Sequence, residues 1–314
     1  MIYNIGIDVG GTGIQMGIVN EQGTILTRGS ITTRLDIPFA EQVKQMAECA
    51  LDMIRRSEIP VEDIHSVGVG VPGIADQKTG RIIRCTNMNW LDLPFRDEFQ
   101  KHLKKPVLID NDANVAALAE NVAGVSAGCS SSVFMTLGTG IGSGIVLNGR
   151  VWSGAHGIGG ELGHTILELD GVPCSCGNHG CLERYCSATA IIRMAREQVL
   201  VHPESLILTM AGDAENINAK TVFDAAKEGD PTAEKIFRKY VRYLSMAIAN
   251  VTNFLDPEMI VLGGGVSKAG NYLLDAVRAE TKEYVLFNMQ PMPQIEIARL
   301  GAEAGIIGAA MLDR

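Results

Sequence analysis

Long apolar runs are missing from this 314-residue chain. Nowhere do about 18 uncharged apolar residues follow one another, and Met1 leads straight into an alternating strand pattern rather than a basic and apolar leader. Neither a membrane span nor a signal peptide is expected, and the expected location is cytoplasmic. Positive charge is short as well. The 27 Lys and Arg stand against 36 Asp and Glu, a net charge of -9, which opposes contact with nucleic acid or anionic membrane and leaves a small molecule as the expected partner. Low-complexity tracts and charged tails are absent, and 46% hydrophobic residues suffice for a sizeable core. Cysteine is scarce, seven in all, and Cys49, Cys85 and Cys129 are scattered like ordinary small core residues. Three others, Cys174, Cys176 and Cys181, crowd into the stretch CSCGNHGCLE. In a reducing cytosol such clustering points to metal ligands or reactive thiols before a structural disulfide.

Glycine, by contrast, is plentiful, and its 35 copies gather at strand ends. The opening IYNIGIDVGGTGIQMGIVNEQGTILTRGSI reads as strand, glycine turn, strand, glycine turn, strand. An amphipathic helix is expected over 38–56, with Pro38 at its start and apolar residues three and four apart. A strand in HSVGVGVPG, a short helix near 96–103, the strand PVLID and a helix from Ala113 complete the first half. At Ser131 the opening pattern returns in SSVFMTLGTGIGSGIVLNGRVWSG, which marks an internal repeat. Later elements are an amphipathic helix over 232–254 started by Asp230-Pro231, the strand PEMIVLGGG, and a small-residue helix in LGAEAGIIGAAML suited to close packing. The fold class is α/β: two domains built on related meanders, with turns at Gly10, Gly138 and Gly263 able to converge on one cleft.

A glycine turn after a strand presents backbone N–H groups to phosphate oxygens without Cβ interference. DVGGTG, LGTGIGSG and LGGGVS form three such turns, and any one of them alone reads equally well as a bare hairpin. The P-loop pattern is missing, and the dinucleotide fingerprint fails because a strand rather than a helix follows the glycines. Hairpins would therefore grip the phosphates. Asp8 ends the first strand, whereas Leu137 stands at the matching place of the repeat. A carboxylate there needs a cation such as Mg2+ near phosphates, or the turn's own N–H donors. In LIDNDANVAAL one acidic or amide residue caps the helix, while Asp110 and Asp112 point to opposite sides of an extended chain. Asp112, nearer the helix, is the candidate general base. The three clustered thiols are one ligand short of a tetrahedral zinc site, and His179 and Cys186 are the nearest in sequence to supply it.

Together, DVGGT at Asp8, GVPG at Gly70, NDAN at Asn111, LGTGIGSG at Leu137, GELGHT at Gly160 and CSCGNHGCLE at Cys174 resemble the ROK sugar kinases. In pattern the chain is similar to the bacterial ATP-dependent glucokinases of that family. The resemblance implies the actin-like, hexokinase and ribonuclease H-like ATPase fold, with duplicated β-meander domains flanking a cleft. The small α/β domain would take 1–117 and about 300–314, and the large one, with the zinc loop, 118–299. It implies ATP-dependent phosphorylation of an aldohexose at the 6-hydroxyl, glucose first, with N-acetylglucosamine, N-acetylmannosamine, mannose, allose or fructose as alternatives. A sugar-responsive regulator is the rival of another class. That rival needs a DNA-binding segment before DVGGT, for which seven residues leave no room.

By the same resemblance Asp112 is the catalytic base, and Gly73, Asn87, Asn111, Glu161, His164 and Glu183 line the sugar site. Asp8, Gly10, Gly11, Thr12, Gly138, Thr139 and Gly140 cradle phosphates and Mg2+, while Gly263, Gly264 and Gly265 flank adenosine. His164, Cys174, Cys176 and Cys181 bind a structural Zn2+, and a homodimer or homotetramer is expected. Gly13 and Thr86 depart from common residues of the family, so the resemblance leaves the exact sugar open.

Overall fold

The computed structural model describes residues 2–286 and 292–314. The chain opens with β1 (Tyr3–Val9), β2 (Gly13–Asn20) and β3 (Ile25–Thr32), an antiparallel meander. The Asn20 side chain makes the second turn by accepting from the N–H of Gln22 and of Thr24, the local bonding that suits asparagine to turns. Next comes α1 (Phe39–Ser57), which buries Val43, Met46, Ala47, Ala50, Met53 and Ile54, the apolar stripe that its spacing encodes. Pro38 stands just before it and Glu58 ends it in the left-handed conformation. Then follow β4 (Ile64–Val71), a small sheet of β5 (Ile74–Asp76), β6 (Arg81–Cys85) and β7 (Trp90–Leu93), α2 (Phe95–Gln100), β8 (Val107–Asn111) and α3 (Asp112–Val122). The strands β4 and β8 run parallel to β1, in the order β3-β2-β1-β4-β8.

The second half repeats the plan with β9 (Ser131–Leu137), β10 (Ile141–Leu147) and β11 (Arg150–Val151). After the cysteine loop come α4 (Glu183–Cys186), α5 (Ala188–Val199), α6 (Leu206–Ala211), α7 (Ala219–Lys227) and α8 (Pro231–Leu255). Asp230 caps α8 by accepting from the Ala233 N–H, as the Asp-Pro pair anticipates. The chain closes with β12 (Met259–Gly263), α9 (Gly264–Ser267), α10 (Asn271–Thr281), β13 (Gln294–Ile297) and α11 (Ala304–Ala310). The sheet order β11-β10-β9-β12-β13 mirrors the first sheet, so the internal repeat is a repeat of topology. One detail differs from expectation. The strands β1 and β9 share the burial pattern iBBBBiB, which matches Asp8 with Thr136, not with Leu137. Both turns leave three residues between their strands, and Asp8 and Thr136 each stand two residues before the first glycine.

Two compact units result: 1–134 with 144–160 and 299–314, and 135–143 with 161–298. In the first, α11 lies directly on the sheet. A Cβ on Gly6 would collide with the carbonyl of Ile306, one on Gly68 with that of Ala309, and one on Gly308 with that of Val115. The missing side chains of Gly6 and Gly68 thus set the distance from helix to sheet, and that of Gly308 the distance from α11 to α3, which is the close packing foreseen for LGAEAGIIGAAML. In the second unit α8 is the central helix. Its buried face includes Tyr240, Leu244 and Ile248, and the Phe223 ring of α7 meets Phe237 edge-on at 5.1 Å.

Candidate active site and metal centre

Asp112, Asn111, Gly73, Asn87 and the first glycine turn belong to the first unit. At the end of β8 the alternation of the strand turns Asp110 inward, only 3% exposed, and leaves Asp112 exposed on the first turn of α3. Asn111 is the cap: its Oδ1 accepts from the N–H of Ala113 (2.8 Å) and Asn114 (3.3 Å), and its Nδ2 donates to the Gly73 carbonyl at 3.0 Å. Asn111 and Gly73 are thereby brought together. Behind them Asp110 accepts from the Asn111 N–H at 2.7 Å, from Asn114 Nδ2 at 2.8 Å, and from Gln77 Nε2. Burial pushes the Asp110 carboxyl above its usual range, partly offset by these donors. Gln77 had no signal in the sequence, because it reaches Asp110 from a different strand pair.

In the first turn, the Gly10 N–H donates to the Gly13 carbonyl at 3.0 Å, and a Cβ on Gly10 would sit 2.7 Å from that oxygen. The Thr33 hydroxyl donates to the Gly10 carbonyl at 2.6 Å and steadies the turn from the end of β3. Thr12 is exposed at its tip, and a Cβ on Gly11 would lie 4.0 Å from that of Asn87. Burial raises the Asp8 carboxyl above its usual value. A cation facing it would relieve that penalty.

Glu161, His164, Glu183 and the other two glycine turns belong to the second unit. Gly264 has φ +84, and a Cβ on it would sit 2.7 Å from the Leu137 backbone, so the third turn is seated on the end of β9 beside Gly138. Only a glycine permits both that backbone angle and that approach. Next to it Gly265, Val266, Phe223, Lys220, Asp224 and Lys227 line a cavity of about 250 Å³. Glu161 is exposed, and its carbonyl accepts from the His164 N–H at 3.1 Å across a single helical turn. The neighbouring Leu162 N–H donates to Ser143 Oγ at 3.0 Å. Glu183 reaches back to the second turn, where its Oε2 accepts from the Ile141 N–H at 2.9 Å.

The cysteine loop supplies a donor set. His164, Cys174, Cys176 and Cys181 place one ligand atom each within 4.8 Å of all the others. Cys174 Sγ lies 3.7 Å from His164 Nδ1, and Cys176 Sγ lies 3.6 Å from Cys181 Sγ. A disulfide needs about 2.05 Å, whereas a tetrahedron with bonds of about 2.3 Å has edges of about 3.7 Å. The cluster therefore fits a tetrahedral metal ion and not a cross-link. The Asn178 N–H, with its thiol neighbours, lowers the exposed Cys176 thiol to about 7, while burial pushes Cys181 up to about 12. Of the two residues nearest in sequence, Cys186 is fully buried with its thiol 3.8 Å from the Tyr240 carbonyl, and His179 is not in the cluster. His164 joins from ten residues upstream because an isolated β-bridge, Ile166 to Cys181, folds the loop back on itself.

The family model described as ROK family matches residues 4–314. The chain belongs to the ROK family. Among ROK relatives it is 39% identical to a glucokinase of Halalkalibacterium halodurans, over 99% of this chain and 94% of that one. It is 37% identical to a glucokinase of Thermotoga maritima, over 98% and 96%. A crystal structure of a ROK glucokinase from Streptomyces griseus in complex with glucose and AMPPNP matches with a TM-score of 0.80 and 32% identity, covering 99% of this chain and 98% of that one. The actin-like ATPase fold that the sequence motifs implied is therefore the fold of this ROK chain. Among the described residues no helix is long and apolar enough to cross a membrane.

Proposed function

We propose that the chain is a glucokinase, transferring the γ-phosphoryl group of ATP to the 6-hydroxyl of glucose. The observation that carries this is the likeness to glucokinases along nearly the whole chain, one of them solved with glucose and an ATP analogue. Phosphoryl transfer passes through a loose transition state, so the protein's task is alignment and charge neutralisation more than strong base chemistry. Asp112, exposed on a junction that Asn111 and Asp110 hold rigid, accepts the hydroxyl proton as the O–P bond forms, and ADP leaves. Asn111, Gly73 and Asn87 orient the sugar, and Glu161, His164 and Glu183 are its further hydroxyl ligands. A hydroxyl missing or misplaced in another hexose leaves one of these groups unpaired at about 1–3 kcal/mol, which supports selection among sugars.

Backbone N–H groups of the turns at Gly10, Gly11 and Thr12 and at Gly138, Thr139 and Gly140 hold the phosphates, and Gly263 to Gly265 with their neighbouring cavity take adenosine. Mg2+, when bound near Asp8, neutralises charge on the phosphate oxygens. The His164, Cys174, Cys176 and Cys181 set holds zinc as a structural ion, since four protein ligands leave no open position for catalysis. With Nδ1 turned to the thiols, His164 keeps Nε2 for a sugar hydroxyl. Reduced thiols at this site agree with a cytoplasmic location, and assembly into dimers or tetramers is part of the same reading.

ADP release in a coupled assay with ATP and Mg2+, across glucose, N-acetylglucosamine, N-acetylmannosamine, mannose, allose and fructose, tests the reading. Glucose is expected to give the highest kcat/KM. Absence of turnover with every sugar would reject the kinase, and a higher value for another hexose would reassign the substrate.

A further inference from the structure

The second glycine turn is held from outside itself at three points. Its carbonyls are tied back, Gly138 O by the Ala188 N–H and Thr139 O by the Thr189 hydroxyl, both at 2.8 Å. Its exit N–H, that of Ile141, donates to Glu183 Oε2 at 2.9 Å. Gly138 N–H and Gly140 O close the turn on each other at 3.0 Å, which leaves the N–H groups of Thr139 and Gly140 for an incoming anion. A Cβ on Gly140 would overlap the Glu183 carboxylate, so the carboxylate fills the space that the glycine leaves behind the turn. Carbonyl dipoles aimed at a phosphate would repel it. Turning them toward α5 while anchoring the exit residue removes that repulsion before the nucleotide arrives, the preorganisation that favours charge stabilisation.

We propose that Glu183 and Thr189 are positioning residues for the nucleotide turn. Glu183 then has two duties: Oε2 shapes the turn through Ile141, and Oε1, which makes no hydrogen bond among the described residues, serves the sugar. This rests on the kinase reading and on assigning Gly138–Gly140 to phosphate. The test measures AMPPNP with Mg2+ binding to the sugar-free chain by calorimetry. A pure sugar ligand has no effect on that quantity. Loss of a hydrogen bond to a charged group predicts about tenfold weaker AMPPNP binding in Glu183→Ala, and loss of a neutral one about threefold in Thr189→Val.

Glu183→Gln and Thr189→Ser, which keep the acceptor and the hydroxyl, restore the affinity to within about twofold of the native chain on the same reasoning. Thr189 is exposed, so its variant remains informative where Glu183→Ala disturbs folding. Unchanged AMPPNP affinity in Thr189→Val or in a folded Glu183→Ala overturns the proposal while leaving the kinase intact. A conservative variant as weak as its truncated counterpart overturns it as well. A native chain that binds no AMPPNP overturns the kinase reading and the proposal with it.

Discussion

For the zinc site proposed at the cysteine loop, chelation is expected to lower the melting temperature by roughly 6–12 °C. The magnitude follows from the geometry. A metal bridging His164 to Cys181 closes a loop of about 18 residues, and the entropy removed from the unfolded chain by such a closure is about 3 kcal/mol at 25 °C. For a compact unit of this size each kilocalorie shifts the midpoint by about 2–4 °C. The remaining ties of the loop are hydrogen bonds, including those of the Val172 N–H to the Tyr185 hydroxyl and of the Tyr243 hydroxyl to Glu168. Its backbone bonds include Leu167 N–H to Gly180 O at 2.8 Å, Gly180 N–H to Val172 O at 2.9 Å and Cys174 N–H to Asn178 O at 2.8 Å, and Leu169 is 86% exposed.

Metal uptake near neutral pH displaces the proton that burial keeps on Cys181, so affinity falls as the pH is lowered. The assay is scanning calorimetry with and without a strong chelator, together with metal analysis and titration of reactive thiols. About one zinc per chain, protected thiols in the native form and a lower midpoint after chelation are expected. The same midpoint and the same thiol reactivity in both forms would refute the loop-closure reasoning.

Asp112→Asn keeps the shape of the site and removes the proton acceptor; kcat should fall by about 10²–10⁴ while glucose binding by calorimetry stays near the native value. His164→Ala should lower both zinc content and glucose affinity, and unchanged values of both would show that the imidazole has neither duty. Asp110→Ala strands the donors on Asn111, Asn114 and Gln77 and should cost about 3 kcal/mol or more in denaturant unfolding, whereas Asp110→Asn, with Gln77 turned to offer its oxygen, should cost far less. Because the folded Asp110 carboxyl lies above its unfolded value of about 3.9, its contribution is fully present below that pH and is lost as pH rises through the folded value. The stability of Asp110→Asn relative to the native chain should therefore rise from about pH 4 upward, and stay flat in a chain without the shift.

Local rules made much of the molecule legible. Apolar spacing gave α1, the Asp230-Pro231 pair gave the start of α8, and the recurrence of a strand-glycine-strand pattern at Ser131 gave a repeat that the two sheets share in their strand order. Each of these depends on neighbours within a few residues, where propensity and periodicity act directly. The misplacement of Asp8 opposite Leu137 shows the limit: the residue equivalent in burial is Thr136, and a one-residue slip between similar strands exchanges inward for outward positions.

What the sequence determined by itself is the set of parts: strands ended by glycine turns, a capped NDAN junction, three thiols one ligand short of a tetrahedron. Tertiary structure decided their partners. The fold chose His164 over His179 and Cys186, set Gln77 behind Asp110, and brought Glu183 and Thr189 to the second glycine turn from about 40 to 50 residues away. The physical reason is that hydrogen bonds and metal bonds are satisfied by whatever lies within about 3–4 Å, and distance along the chain carries no record of that once strands and loops fold back. CSCGNHGCLE names the loop; only the folded chain says which histidine closes it and that its final glutamate leans on the turn at Gly138.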